Sequence, residues 1–484
     1  MIARRDERTI AVAAAELRDR AGAGAPLAPE RVLLDPERVE PYGRDESDLG
    51  LHPPELVVLP ESAAEVQRVM AVATRHRLPV TPIGARSGRS GGALPLQGGI
   101  ALSVERMNRI LDIRPDDLTA SVQPGVITGA FQAEVEKHGL FYPPDPNSLD
   151  MCFLGGNVAE NAGGPRALKY GVTREYVLGL EVVLPTGELL RTGRRTIKGV
   201  AGYDLTALFV GSEGTLGVIT EITLKLLPRP RHVSTALVVF RAVEDAARAI
   251  SRVLASGVIP RVMELLDDTA LQACARTAPY EFPADAGAAV LIETDGSDEE
   301  QVFAEIVRVA ELVQADAAGE VIVAQNESQR RDIWETRKKL SINLRALHPL
   351  KLSEDIAVPR SRIPDMVRVT REIGARYGFV VATYGHAGDG NLHANVLFDR
   401  EEERPRVEAA VGEILRAAVD MGGTITGEHG VGLAKRDYLV YEQGEALVAL
   451  QRRLKAVFDP LGLMNPGKIF PVEPGTSKVG SGAN

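Results

Sequence analysis

Two short segments hold residues whose types and spacing could do chemistry. The first is His386-Ala387-Gly388-Asp389-Gly390-Asn391-Leu392-His393-Ala394-Asn395. Gly388, Asp389, Gly390 and Asn391 are turn formers, so the two histidines flank a hairpin-like reversal and can converge on one ion. Past the turn, His393 and Asn395 point to one side of an extended chain, and Leu392, Ala394 and Val396 to the other. The second segment, Gly427-Glu428-His429-Gly430-Val431-Gly432, adds a carboxylate and another imidazole. Two histidines and one glutamate, with coordination positions left open, suit a catalytic divalent ion. The same side chains could serve as structural hydrogen-bonders. Three of the eight histidines lie in these glycine-rich turns, which favours a site carried on loops over three core residues.

Three glycine clusters lie upstream: 84–92, 154–164 and 211–217. Glycine lets backbone amides approach a diphosphate closely and reach dihedrals that other residues avoid. No cluster fits the dinucleotide fingerprint in a strand–turn–helix setting, and none fits a P-loop, since no glycine is followed by Lys and then Ser or Thr. A single cluster could be a tight turn; three so close together favour a ligand cradle whose ligand stays open at this point.

These loops need elements to hold them. Residues 9–20 read as a short helix followed by a flexible stretch, Ala21–Pro29. Ser62 and Glu65 have capping-box spacing at the start of a helix over 62–76, where Val66, Val69, Met70 and Ala73 recur at helical intervals. A strand at 78–82 follows, in a β–α–β alternation. From Ile100 to about Leu227 the chain reads as short strands, including 178–184, 188–191 and 218–227. Pro228-Arg229-Pro230 breaks the pattern. Beyond it, strands are predicted at 234–240, 289–293, 321–324, 351–358, 379–385 and 392–398. Helices are predicted at 242–256, 298–315, 327–346, 361–377 and 401–421, covering one face of an antiparallel sheet. A last helix falls near 444–458, and the tail from Pro471 reads as disordered. The fold class is α+β. The domains divide as 1–40 (helix and linker), 41–230, 231–425, 426–470 (a segment completing the site) and 471–484.

The chain of 484 residues has 56 Lys and Arg against 66 Asp and Glu, a formal net charge of −10, which argues against broad nucleic-acid binding. Two cysteines, Cys152 and Cys274, cannot hold a four-thiolate cluster or a disulfide framework. No apolar run approaches the ~20 residues of a spanning helix, and Thr9–Ala15 makes a poor signal peptide. The expectation is a reduced, cytoplasmic protein, with peripheral membrane attachment through a partner left open.

The order of 84–92, Pro143-Pro144-Asp145-Pro146, 154–164, Lys169-Tyr170-Gly171-Val172, Gly202-Tyr203-Asp204-Leu205 and 211–219 resembles the FAD-binding domain of the vanillyl-alcohol oxidase type. More narrowly, it resembles the flavoprotein subunit of glycolate oxidase and its D-lactate and D-2-hydroxyglutarate dehydrogenase relatives, over roughly residues 40–470. The resemblance implies a two-part FAD-binding domain (41–230), an α+β substrate or cap domain (231–425) and a C-terminal return to the flavin. It implies FAD contacts from Gly84, Arg86, Ser87, Gly88, Ser90, Gly91, Pro144, Asp145, Gly155, Gly156, Asn157, Asn161, Ala162, Gly163, Tyr170, Gly171, Glu213, Gly217, Val218, Ile219 and Asn465. Arg86 departs from the commoner glycine and could cap a phosphate or point to solvent. The first loop has no histidine, which favours non-covalent FAD; Cys152 reads as a packed thiol.

By the same resemblance, His386, His393 and Glu428 hold a divalent metal (Zn, Fe or Mn), His429 is the catalytic base and Asn395 lies near substrate. Arg337 clamps the substrate carboxylate; on spacing alone Arg337, Lys338 and Lys339 would be a solvated helix face. Lys351 adds charge on the adjacent strand. The implied activity is FAD-dependent oxidation of a small (D)-2-hydroxy acid such as glycolate or D-lactate. The electron acceptor would be a partner subunit, a quinone or a soluble carrier, with a homodimer or hetero-complex open. The alternatives are a D-2-hydroxyglutarate dehydrogenase and a non-catalytic flavin-binding electron-transfer subunit, which would not need the histidine and glutamate set.

Overall fold

The computed structural model describes residues 6–20, 24–319 and 321–472. Part of the stretch Ala21–Pro29 and nearly all of the tail from Pro471 lie outside the described residues. The chain forms two compact units. The first comprises the described residues up to Ala162, residues 172–228 and those from Glu428 onward; the second comprises 163–171 and 229–427.

In the first unit, Ser62 caps the helix Ala63–His76 by accepting a hydrogen bond from the Glu65 amide at 3.3 Å. The capping box is half made. The Glu65 carboxylate turns instead to Arg31, at 2.6 Å on each oxygen, and to the Glu61 amide, because a guanidinium is the stronger partner. Val66, Val69, Met70 and Ala73 are buried together with Leu56, Val58, Val80, Ile100 and Leu102. Those last five come from the strands Leu56–Val58, Ile100–Ser103 and Val80–Ile83, which pair in parallel, with Val32–Leu33 antiparallel at the edge. A second sheet of five antiparallel strands runs in the order Ile110–Arg114, Thr119–Val122, Val218–Lys225, Val177–Val183 and Leu189–Gly193. Along Val218–Lys225, Ile222 and Leu224 are buried while Glu221, Thr223 and Lys225 are half-buried, as a strand with one core face requires.

The second unit is built on one antiparallel sheet of seven strands. Their order is Ile322–Val323, His232–Phe240, Ala288–Gly296, Val262–Asp267, Val380–His386, Asn391–Phe398 and Leu350–Ala357. The central strand Val262–Asp267 and the helix after it, Asp268–Ala275, were not predicted: all six strand residues are buried, so no alternation marks them. Helices cover both faces rather than one. Thr294 and Thr383 point toward the long helices Glu299–Gln314 and Ile363–Tyr377. On the other face Leu237, Leu266, Leu291, Ala382 and Tyr384 pack with Leu271, Cys274, Ile333, Leu340 and Leu344. The helix predicted over 327–346 is broken into Glu327–Lys338 and Leu340–Arg345. No helix among the described residues is long and apolar enough to cross a membrane.

Candidate functional site

Within the first unit the glycine loops meet. A Cβ placed on Gly84 would lie 3.6 Å from the Gly156 Cα, and one on Gly88 or Gly156 would meet nothing within 4 Å. Gly156 lies in the first turns of the short helix Leu154–Glu160, which ends on Asn161 at φ +56°. Arg86 stands at φ +62°, the left-handed region that favours the glycine common at this place. Its guanidinium does not face solvent: it lies 4.6 Å from the Tyr42 ring centre, and its buried Nη1 has no hydrogen-bond partner. Ser90 Oγ and Glu160 Oε2 are likewise buried and unpartnered. Glycine surfaces open to close approach, beside the unpartnered donors Arg86 Nη1 and Ser90 Oγ, fit a polyanionic cofactor such as the FAD diphosphate.

Other residues expected to touch FAD hold the loops in place. Asn157 donates to Thr128 Oγ1 at 2.7 Å, and Asn161 Oδ1 accepts from the Arg174 amide at 2.9 Å. Asn465 donates to the carbonyls of Gly92 and Glu213, at 3.0 and 2.8 Å. Glu213 accepts from the amides of Val431 and Gly432, at 2.8 and 2.6 Å, one on each carboxylate oxygen. The Ser90 carbonyl accepts from Leu433 and Ala434. The segment bearing Glu428 and His429 is thereby held from its C-terminal side, and the His429 Nε2 lies 3.9 Å from the Glu428 carboxylate. Cys152 is a buried thiol facing Thr128 Oγ1 at 3.3 Å, as its packed reading requires. Gly163, Tyr170 and Gly171 belong to the second unit: Tyr170 Oη and Lys169 Nζ both donate to the buried Asp295 carboxylate, at 2.8 and 2.6 Å. That anchor is the physical reason this short segment leaves the unit that surrounds it in sequence.

In the second unit, His386 ends one strand and His393 lies on the next, across the turn closed by Gly390 at φ +90°. Cross-strand register sets Glu264 opposite His386, and sets Tyr384 and Asp355 on either side of His393. Residues directly opposite share a face, so all of these point the same way. The two imidazoles meet edge to face with centres 5.5 Å apart. Paired imidazole nitrogens are the donor chemistry a borderline divalent ion prefers.

Asn395 is fully buried and fully engaged. It accepts from Lys351 Nζ at 3.3 Å and from Tyr384 Oη at 3.5 Å, and it donates to the carbonyls of Ala382 and His393. Lys351 also donates to Ser341 Oγ at 3.0 Å. Arg337 is not on the solvated face: its side chain is 16% exposed, against 65% for Lys338. Its Nε and Nη2 converge on one oxygen of Glu264, at 2.9 and 2.7 Å, and its guanidinium lies 4.8 Å from the Tyr384 ring centre. Nη1 takes no part in that pair.

Two carboxylates escaped the sequence reading. Glu264, wholly buried, binds Arg337 through one oxygen and faces His386 Nδ1 with the other. Burial by itself pushes this carboxyl up, but the charges of His386 and Arg337 and their hydrogen bonds outweigh it and hold it down at about 2. Asp355, also wholly buried, accepts from Asn391 Nδ2, Thr426 Oγ1 and the Gly427 amide, at 2.6, 2.8 and 2.9 Å. It thus anchors the chain immediately before Glu428. A single acid inside an apolar run, Val262-Met263-Glu264-Leu265-Leu266, was the available signal for Glu264, since a buried charge requires a partner.

The fold is that of the vanillyl-alcohol oxidase class of flavoproteins: 4-ethylphenol oxidase from Gulosibacter chungangensis superposes with a TM-score of 0.76 at 19% identity, covering 96% of this chain and 98% of that one. Residues 54–193 match the FAD binding domain, and residues 229–469 match the C-terminal domain of FAD linked oxidases. The glycolate oxidase subunit GlcD of Bacillus subtilis (strain 168) is 43% identical, over 86% of this chain and 89% of its own length. The D-lactate dehydrogenase of Anaerostipes hadrus is 37% identical, over 92% and 95%. The chain belongs to the FAD-linked oxidase family, among the oxidoreductases that act on hydroxy acids.

Proposed function

We propose that this protein oxidises a small (D)-2-hydroxy acid, such as glycolate or D-lactate, to the 2-oxo acid. FAD is held non-covalently by the first unit, and a divalent ion is held by His386, His393 and Glu428. The observation that carries the reading is the placing of His386 and His393 on one sheet face, with Arg337 bonded from the helix Glu327–Lys338 to Glu264 beside them, in a chain whose relatives are named for hydroxy-acid oxidation. The absence of His and Cys from 84–92 supports a non-covalent flavin. Glu428 follows directly on Gly427, which Asp355 anchors, and this supports a fixed third ligand.

Arg337 Nη1 binds the substrate carboxylate, with Nε and Nη2 committed to Glu264 so that the guanidinium cannot swing away. Lys351 and Tyr384 hold Asn395 as a rigid wall. His429 takes the hydroxyl proton at Nε2 as C2 is oxidised. FAD, when bound, would supply the acceptor for the C2 hydride, and the divalent ion would supply positive charge that eases loss of the hydroxyl proton. Electrons then pass to a partner subunit or carrier. Leu447, Leu450, Leu454 and Val457 on the helix Glu445–Phe458 are exposed, an apolar face that supports docking of such a partner.

The test is a panel of glycolate, D-lactate, L-lactate, D-malate and D-2-hydroxyglutarate, scored by anaerobic bleaching of the flavin. It is joined to metal analysis of His393→Ala and His429→Ala. The first variant should lose metal and turnover while staying yellow. The second should keep both metal and flavin and lose about 10²–10⁴-fold in rate. Bleaching by D-2-hydroxyglutarate alone would shift the substrate to the longer acid. No bleaching by any member would leave a flavin-binding electron-transfer subunit.

A further inference from the structure

We propose that Glu264 is a positioning residue that fixes the His386 tautomer and, through its other oxygen, locks Arg337 in place, joining metal ligand and carboxylate clamp in one unit. The proposal rests on the reading of His386 as a metal ligand and Arg337 as the clamp.

The geometry divides the carboxylate between two tasks. One oxygen takes Nε and Nη2 of Arg337, at 2.9 and 2.7 Å, which by itself satisfies the buried charge. The second oxygen is not needed for neutrality, and it faces Nδ1 of His386, directly across the sheet in register. A carboxylate can only accept. In the neutral ring that a metal ligand requires, Nδ1 must therefore carry the hydrogen and Nε2 the lone pair. A partner on the far nitrogen is what orients histidine ligands generally, and its loss typically lowers metal affinity or activity 10–100-fold. The ring has little other freedom, because His393 meets it edge-on and Tyr384, beneath the Arg337 guanidinium, lies 5.8 Å from His393. A purely structural ion pair would not need this second contact.

Glu264→Gln tests the tautomer directly. The carboxamide turns its oxygen to the guanidinium, the stronger donor, and presents its NH2 to His386. Nδ1 must then accept, the hydrogen moves to Nε2, and the metal-facing lone pair is lost. The measurement is cobalt(II) titration of chelator-stripped, FAD-loaded protein, followed by the visible cobalt bands, with the thermal midpoint recorded alongside. Glu264→Gln should bind cobalt about 10–100-fold more weakly than wild type while keeping its flavin. In Glu264→Gln/Arg337→Met no guanidinium competes, so the carboxamide oxygen returns to His386. Cobalt affinity should recover toward wild type, although hydroxy-acid turnover does not. This double variant also removes the unpaired buried cation, so it keeps the test open if the single variant fails to fold. Wild-type cobalt affinity in Glu264→Gln, or equally weak binding in both variants, overturns the role of Glu264. Wild-type protein that takes up no cobalt overturns the metal reading itself, and this proposal with it.

Discussion

Lys468 lies in the first unit among acids: Asp45, Glu160 and Glu213 all act on it, and its Nζ donates to Leu94 O and Asn465 Oδ1. Burial pushes its ammonium down to about 7, against the pull of those three carboxylates. Burial also raises Glu160 and Glu213, Glu160 further through the neighbouring Glu213 charge. The folded Lys468 value lies below the unfolded value of about 10.4. Between those values the unfolded chain binds more protons, so this group adds stability as pH rises and loses it as pH falls through about 7. The slope is at most about 1.4 kcal/mol per pH unit. Glu160 and Glu213 act oppositely: their contribution is complete below the ordinary carboxyl range and fades as pH rises through their raised values. Denaturation of wild type and Lys468→Met at pH 7, 8.5 and 10 should show the wild type gaining on the variant with each step. A constant difference would mean that Lys468 stays charged throughout.

At the scale of elements, the turn bearing Glu428 and His429 depends on Gly430. Its φ is +83°, and a Cβ there would lie 2.2 Å from Glu160 Oε2 and 3.1 Å from Glu213 Oε1. Gly430→Ala must therefore displace a buried carboxylate as well as strain the backbone, for about 1–3 kcal/mol. It should disturb the Glu213 bonds that hold Val431 and Gly432. Ser62→Ala makes the control: losing the helix cap costs about 1 kcal/mol and touches no proposed ligand. The expected outcome is a similar drop in thermal midpoint for both, with turnover reduced at least tenfold only in Gly430→Ala. Equal turnover in the two variants would deny this turn a part in the chemistry.

For the whole molecule, the flavin loops belong to one unit and the paired histidines, with Arg337, to the other. A chelator should therefore strip the proposed metal and abolish turnover while the flavin spectrum stays with the protein, and added divalent metal should restore rates. Flavin released in step with metal, followed by absorbance after gel filtration, would contradict this separation. Binding metal only to the folded chain also adds stability in proportion to occupancy, so the stripped protein should melt lower.

Much of this was legible in the sequence because it is local. Glycine clusters, the turn between His386 and His393, the Ser62 cap and most strands and helices depend on residues close together in the chain, whose steric and hydrogen-bonding preferences act at short range. Tertiary structure decided what depends on pairing distant strands. Glu264 meets His386 only because Val262–Asp267 pairs with Val380–His386, and a strand buried on both faces carries no periodic mark. Asp355 reaches Gly427, and Tyr170 reaches Asp295, through registers that no spacing encodes. Arg337 had the same sequence context as Lys338 and Lys339. The helix turned it inward because a buried carboxylate stood opposite, and a charge removed from water must find its counter-charge.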